Sequence, residues 1–149
     1  MDAKTDKTGP MSGLDYLKEL IDDWHGSPMA ETMNMRLIAA EEGTATFEAF
    51  PSPQYYNPQK RVHGGYAATL IDSALGCAVQ TKLPAGIGYG TIELKVNYVR
   101  KIDVAAGRLL CVGNVIHAGR TMFTAEAKVT GEDGKLYAHG SGTFLVYPT

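Results

Sequence analysis

The chain has 149 residues, 44% of them hydrophobic, and its 14 basic and 16 acidic side chains leave a net charge of −2. This length is typical of a single domain, and the near-neutral balance argues against nucleic acid as the main partner, which usually requires a basic excess. No run approaches the roughly 18 apolar residues of a membrane-spanning helix, and residues 1–10 do not resemble a secretory signal. We therefore expect a cytoplasmic domain over residues 12–149, preceded by a flexible segment over residues 1–11, with no membrane partner.

The first part of the chain predicts one helix followed by two strands. Ser12 can cap a helix over residues 13–25, where apolar side chains recur at helical spacing, and a glycine together with Pro28 is expected to end it. Strands are predicted at residues 33–39 and 44–50, because β-forming residues there flank a short polar turn that contains glycine.

An almost uncharged helix is predicted next, over residues 64–82. Alanine, isoleucine and leucine recur along one face of it at helical spacing. Asp72 lies just past the edge of this apolar face. The adjoining arc of Thr69, Ser73 and Gly76 is small and polar, so a ligand or another surface can come close to the helix there.

The rest of the chain predicts four strands joined mostly by short turns. Their side chains alternate in polarity, and two of the connections are short enough for hairpins. The predicted strands are residues 89–100, 108–118, 121–130 and 135–146. One long helix followed by an antiparallel meander predicts an α+β fold in which a curved sheet wraps around the helix.

The most informative stretch runs from Asn57 to Asp72. His63, Gly64 and Gly65 stand where the long helix begins, so the bare N–H groups at its positive end can meet a ligand. Asp72 is a lone carboxylate on an apolar helix, which is costly unless something uses or satisfies it. Together these groups indicate a site that polarises a carbonyl group and attacks it, although each residue alone is compatible with an ordinary structural role.

Other chemical motifs are out of context. The glycine-rich residues 86–90 follow a helix and precede a strand, which reverses the order of a dinucleotide-binding loop. The four histidines show no metal-ligand spacing, and Cys77 and Cys111 lie in apolar runs typical of core positions. We therefore expect no metal site.

The spacing from Asn57 through His63-Gly64-Gly65 to Asp72, with residues 91–98 and 116–121, resembles the hot-dog-fold acyl-CoA thioesterases. The closest resemblance is to the phenylacetic-acid-degradation thioesterase family and its 4-hydroxybenzoyl-CoA thioesterase relatives, and it covers about residues 30–147. It implies a central helix wrapped by an antiparallel sheet, homodimers that pair into homotetramers, and an active site at the dimer interface. The implied reaction is hydrolysis of an acyl- or aryl-CoA, so coenzyme A is part of the substrate and no cofactor is expected.

The resemblance also implies roles for individual residues. Asp72 would be the catalytic carboxylate, acting as nucleophile or as base for water, and the Gly65 amide would polarise the thioester oxygen. Asn57 and His63 would position the thioester or the water, and Thr91 would help to orient the water. Some relatives have glutamate at the acid position and a threonine one turn later, so direct and water-mediated attack both remain open for this chain.

A second set of residues is predicted to bind the substrate. Arg100 ends a predicted strand and Arg120 lies in a tight turn, and guanidinium groups bind phosphate in a bidentate manner, so both are predicted to hold the phosphates of coenzyme A. Thr121 beside Arg120, Gly64 at the helix start, and Gly76, one turn after the acid, complete the set.

Two other functions on the same fold remain open. A hydratase or dehydratase that acts on an acyl thioester usually pairs a histidine with a carboxylate in a different local motif, which this chain lacks. A non-catalytic acyl-binding module is disfavoured because Asn57, His63 and Asp72 are all present. The acyl group itself, whether aromatic or aliphatic, is not indicated by any motif.

Overall fold

The computed structural model describes residues 10–149, and these residues form three helices and one six-stranded antiparallel sheet. The helices are α1 (Gly13–Asp22), α2 (Pro28–Thr32) and α3 (Gly64–Gln80), and the strands are β1 (Met35–Glu41), β2 (Thr44–Ala49), β3 (Ile87–Tyr98), β4 (Leu109–Ala118), β5 (Met122–Gly131) and β6 (Leu136–Pro148). The predicted flexible segment, residues 1–11, lies almost entirely outside the described residues.

The sheet wraps around α3. Its strand order is β1-β2-β4-β5-β6-β3, and every neighbouring pair is antiparallel. The 17-residue helix α3 contacts all six strands, which is possible only when the helix lies across the inner face of the sheet. The predicted α+β hot-dog architecture, with a long central helix, is therefore confirmed. The order leaves β1 and β3 as the edge strands.

The apolar face of α3 forms the centre of the core. Ile71, Ala74, Leu75 and Ala78, which the periodicity placed on one face, are completely buried. Strand β4 approaches this face so closely that a Cβ atom at Gly113 would lie 2.4 Å from the Ala74 carbonyl oxygen. Burial of this face fixes the rotation of α3 about its axis, and truncation of a buried leucine there would cost about 2–5 kcal/mol of folding free energy.

The region between α1 and β1 differs from the prediction. Helix α1 ends at Asp22, and Pro28, which was expected only to stop a helix, begins α2. Ser27 caps α2 by accepting a hydrogen bond from the Ala30 N–H at 3.2 Å, and proline has a suitable φ angle for the first helical position. Two successive serine caps, Ser12 and Ser27, thus produce two short helices in place of one.

Candidate active site

His63 caps the first turn of α3. Its Nδ1 atom accepts a hydrogen bond from the Gly65 N–H at 2.8 Å. A ring nitrogen that accepts a hydrogen bond carries no proton, so Nδ1 is the unprotonated nitrogen in this arrangement and Nε2 faces away from the helix end. A Cβ atom at residue 65 would lie 3.1 Å from His63 Nδ1. Glycine therefore lets the ring come close to the helix end, and the Gly65 amide is already engaged in this structure.

Gly64 packs against Tyr98 at the end of β3. The Tyr98 hydroxyl donates a hydrogen bond to the Gly64 carbonyl oxygen at 2.8 Å. A Cβ atom at residue 64 would lie 3.0 Å from that hydroxyl oxygen. Each glycine thus makes room for a different ring: Gly65 for His63 and Gly64 for Tyr98. The hydrogen bond from Tyr98 also connects the start of α3 to the edge strand β3.

Asn57 shapes the loop before α3. Its Oδ1 atom accepts hydrogen bonds from the Gln59 N–H at 2.9 Å and the Arg61 N–H at 3.4 Å. Within residues 10–149, no hydrogen bond engages the side-chain amide nitrogen of Asn57. The loop thus holds the amide side chain rigidly and leaves its N–H groups available as donors.

A cleft of about 240 Å³ brings several predicted residues together at this end of α3. Asn57, His63, Gly64 and Arg100 all line it. Three further residues that were not predicted also line the cleft, Arg61, Tyr98 and Lys101. Lys101 adjoins Arg100 and Arg61 lies two residues before His63 in the sequence, but only the fold shows that they share the cleft. The exposed basic groups give the cleft a positive rim that suits an anion.

Asp72 lies half-buried in the middle of α3, where it meets the edge strand. The Thr91 hydroxyl donates a hydrogen bond to Asp72 Oδ1 at 2.8 Å. One oxygen of the carboxylate is thus held in place, and none of the hydrogen bonds among the described residues engages Oδ2. Thr91 lies beside a bulge at which Ile92 drops out of the pairing between β3 and β6. Such bulges re-aim side chains at functional sites.

Gly76, one turn after Asp72, faces the ring of Tyr89 on β3. A Cβ atom at residue 76 would lie 2.9 Å from a ring carbon of Tyr89. The tyrosine thus fills the space that a side chain on the helix would take, and burial raises the pKa of its hydroxyl. The small polar arc of α3 was predicted to admit a ligand or another surface. At Gly76 this arc is instead covered by Tyr89 of the same chain.

The two groups of candidate residues are separated within one chain. Asp72 follows Gly65 by seven residues on the same side of α3, which corresponds to about 10 Å along the helix axis. His63 and Asn57 lie at the end of the helix with Gly65, whereas Thr91 is with Asp72. The carboxylate therefore does not reach the histidine cleft of its own chain.

The two predicted phosphate-binding arginines also lie far apart. Arg100 donates its backbone N–H to Tyr137 at the start of β6, and the Thr121 carbonyl beside Arg120 accepts from Val146 near the end of β6. Nine residues of extended strand separate these contacts, which is about 30 Å. Only Arg100 lines the cleft with His63; Arg120 and Thr121 are exposed in the turn between β4 and β5.

Neither thiol is suited to act as a nucleophile. Burial raises the pKa of the Cys77 thiol to about 12, and burial also raises the pKa of the Cys111 thiol, so both stay protonated near neutral pH. Among residues 10–149, no group of three or more histidine, cysteine, aspartate or glutamate side chains is placed to hold a metal ion. In the same part of the chain, no helix has the length and apolar character needed to cross a membrane.

A family model and two relatives match this chain in sequence. The model described as the thioesterase superfamily matches residues 59–138. The 1,4-dihydroxy-2-naphthoyl-CoA hydrolase of Listeria monocytogenes is 25% identical over 119 residues, which cover 79% of this chain and 94% of that relative. A relative from Halobacterium salinarum, named as a candidate esterase, is 44% identical over 70 residues, or 46% of this chain; the match spans only 44% of that relative's length.

A solved structure matches in fold. The PaaI protein of E. coli, from the phenylacetic acid degradation operon, superposes with a TM-score of 0.77 and covers 89% of this chain and 94% of its own. Its sequence is 18% identical, so the likeness concerns the arrangement of helix and sheet.

Proposed function

The chain belongs to the thioesterase superfamily, and on that basis we propose that it hydrolyses acyl-CoA thioesters to a free acid and coenzyme A. The observation that carries the proposal is the Asp72–Thr91 pair, a carboxylate with one oxygen held at 2.8 Å on the central helix. The name of the Listeria relative, a CoA-thioester hydrolase that aligns over most of both chains, supports an acyl-CoA as the substrate.

Asp72 supplies the attacking group by one of two routes. As a nucleophile, its free oxygen attacks the thioester carbon, the carbon–sulfur bond breaks, and water then hydrolyses the resulting anhydride. As a general base, it takes a proton from a water molecule whose oxygen attacks the same carbon. Both routes yield the free acid and the thiol of coenzyme A. The hydrogen bond from Thr91 orients the carboxylate in either case.

The Gly65 amide polarises the thioester carbonyl. It stands at the positive end of α3, where an N–H group can stabilise the negative charge that develops on the carbonyl oxygen. Since His63 Nδ1 now accepts from this amide, the exposed imidazole turns aside when the substrate binds. The imidazole and the Asn57 amide then position the thioester or the water.

The catalytic site is completed by a second copy of the chain, which agrees with a homodimer or homotetramer. Asp72 is about 10 Å along α3 from the Gly65 amide, too far for both to act on one carbonyl. Strand β3 is an edge strand, and Ile92, Tyr98 and Val99 on it or just beyond it are 52–58% exposed. Unpaired edges with apolar side chains favour association with another strand. Pairing copies through β3 would set Asp72 of one chain opposite Gly65 of the other.

The exposed basic side chains at the outer rim of the cleft hold the phosphates of coenzyme A, at a distance from the thioester beside His63. Arg61, Arg100 and Lys101 line the cleft from one chain, and guanidinium groups bind phosphate in a bidentate manner. Arg120 and Thr121 lie at the other end of the sheet, so they would contribute to a site only from the partner copy.

A thiol-release assay with a panel of acyl-CoA substrates tests this function. The proposal predicts release of free coenzyme A with at least one panel member, at a rate well above the spontaneous one. A binding signal without thiol release would support a non-catalytic acyl-binding module. Addition of water to an enoyl-CoA without thiol release would support a hydratase.

A further inference from the structure

An uncharged chamber of about 220 Å³ lies beneath α1. None of the described residues that line it is charged, and most are aliphatic or aromatic. The large side chains that line it come from α1, the segment just after α1, and the first two strands: Tyr16, Leu17, Leu20, Trp24, Leu37 and Phe47. A space with such walls favours an apolar group over water or an ion.

The chamber adjoins the proposed catalytic carboxylate. Ser73, the next residue after Asp72 on α3, lines it, and so does Tyr89 on β3. Tyr89 precedes Thr91 by two residues, and both face α3, because Tyr89 packs on Gly76 and Thr91 bonds to Asp72. Alternate residues of a strand are about 6.6 Å apart. The chamber wall therefore begins roughly one side chain away from the Asp72 carboxylate.

A second, more open cavity of about 610 Å³ adjoins the chamber near the C-terminal end of α3, between the start of α1 and the beginning of β3. Tyr16, Gln80 and Tyr89 line both spaces. These three side chains form a partition between the chamber, which is itself partly open to solvent, and the more open cavity.

We infer that the chamber holds the acyl group of the substrate, an uncharged group of about six to eight carbons, and that the Tyr16–Gln80–Tyr89 partition sets the upper limit of its length. This inference rests on the proposed thioesterase function. A methylene group is similar in size to a water molecule, which takes up roughly 30 Å³. A chamber of about 220 Å³ therefore holds about seven such groups. The uncharged walls exclude acyl groups with a second carboxylate.

The inference predicts a characteristic substrate profile. Burial of each additional methylene should raise kcat/KM about fourfold from acetyl-CoA to about octanoyl-CoA. Dodecanoyl-CoA and palmitoyl-CoA should then fall below the maximum, because the partition blocks longer chains. Phenylacetyl-CoA, with a single ring, should be accepted, and succinyl-CoA should be poor.

Two variants test the inference in opposite directions. Leu20→Trp fills the chamber and should lower kcat/KM for octanoyl-CoA at least tenfold while leaving acetyl-CoA within twofold. Tyr16→Ala opens the partition and should raise kcat/KM for dodecanoyl-CoA relative to hexanoyl-CoA. Ile21→Trp is the matched control, because Ile21 packs on the core from the same helix and does not line the chamber; its profile should remain that of the wild type.

A binding measurement separates this inference from the proposed function. Trp24 is the only tryptophan of the chain and lines the chamber, so its fluorescence should change when the non-hydrolysable octyl thioether of coenzyme A binds. The decisive comparison is the fluorescence change of the wild type with the octyl thioether and with the methyl thioether of coenzyme A. A change with the octyl thioether alone supports the chamber, even if the protein releases no thiol from acyl-CoA substrates. The absence of thiol release would overturn only the thioesterase proposal. Either of two results would overturn the chamber. One is an active wild type for which Leu20→Trp lowers kcat/KM equally for acetyl-CoA and octanoyl-CoA. The other is an equal fluorescence change with both thioethers.

Discussion

The first turn of α3 and its middle turn hold their functional groups by different means. At the first turn, His63 Nδ1 accepts from the N–H of Gly65 only two residues away, and the surrounding cleft is exposed and basic. In the middle, the half-buried Asp72 is held by Thr91, which is 19 residues away in the sequence. The first arrangement is a local cap, whereas the second depends on the packing of helix against sheet.

This difference separates binding from chemistry. An exposed basic rim is suited to hold the distant phosphates of a substrate, which contributes uniform binding and affects KM. A carboxylate fixed by a tertiary hydrogen bond is suited to the chemical step, because its orientation is set before the substrate arrives. Substitutions in the middle of α3 should therefore lower kcat, and substitutions around the cleft should raise KM. The Gly65 amide, His63 and Asn57 are exceptions, because they lie at the cleft but are proposed to act on the reacting groups.

The largest effect is expected at Asp72. Asp72→Asn keeps the side-chain shape and an oxygen that can accept from Thr91, but removes the nucleophile or base, so kcat should fall at least about 100-fold. The melting temperature should stay near that of the wild type. Glu19→Gln on the exposed face of α1 provides the control and should leave kcat unchanged. A kcat for Asp72→Asn within a few-fold of the wild type would exclude the proposed role.

A loss of similar order is expected when the Gly65 N–H is removed. Gly65→Pro deletes the donor in the first turn of α3, where proline is best tolerated in a helix, and the loss of one such donor typically costs about 3 kcal/mol, or roughly 100-fold in kcat. Gly65→Ala keeps the N–H and requires only a small shift of the His63 ring, so its kcat should stay within a few-fold of the wild type. Equal kcat values for the two variants would exclude the amide as an oxyanion donor.

An intermediate effect is expected at Thr91. Thr91→Val removes the hydrogen bond to Asp72 without a large change of shape, and a hydrogen bond to a charged group contributes about 1.5–3 kcal/mol. We expect kcat to fall about tenfold with little change in KM. Thr91→Ser retains the hydroxyl and should recover most of the activity, which a purely structural role of the threonine methyl group would not allow.

The smallest effect is expected at the basic rim. Arg100→Ala and Arg61→Ala should raise KM for an acyl-CoA several-fold with a modest change in kcat, and should hardly affect the matching acyl-pantetheine, which lacks the nucleotide. Arg120→Ala should behave in the same way if the partner copy brings Arg120 to the cleft. Equal losses on full-length and truncated substrates would assign these arginines a structural role.

Local features of the site could be predicted from the sequence because their causes are local. The periodicity of apolar residues identified α3 and its buried face, and the two glycines after His63 marked the helix start. The α+β architecture followed from one long helix and the meander after it. Helix α2 was not predicted, because the cap at Ser27 and the proline that follows it resemble the end of one helix as much as the start of another.

Long-range contacts could not be predicted in the same way. The chamber beneath α1 combines side chains from α1, β1, β2, α3 and β3, and no sequence pattern specifies which of them share a cavity. The Tyr89 ring against Gly76 and the placement of the two arginines about 30 Å apart along β6 depend likewise on strand order and register. Arg61 and Lys101 became candidates only when the fold brought them to the cleft of His63.

The central claim is that Asp72 of one copy acts with Gly65 of another, and complementation tests it most directly. Asp72→Asn and Gly65→Pro, each inactive alone, would be co-expressed in equal amounts and assayed with an acyl-CoA that the wild type hydrolyses. If copies associate at random and each site uses one residue from each chain, about a quarter of the sites contain both intact groups, by the symmetry of the interface. The account predicts recovery of about a quarter of wild-type kcat. A mixture no more active than the sum of the two variants would contradict it.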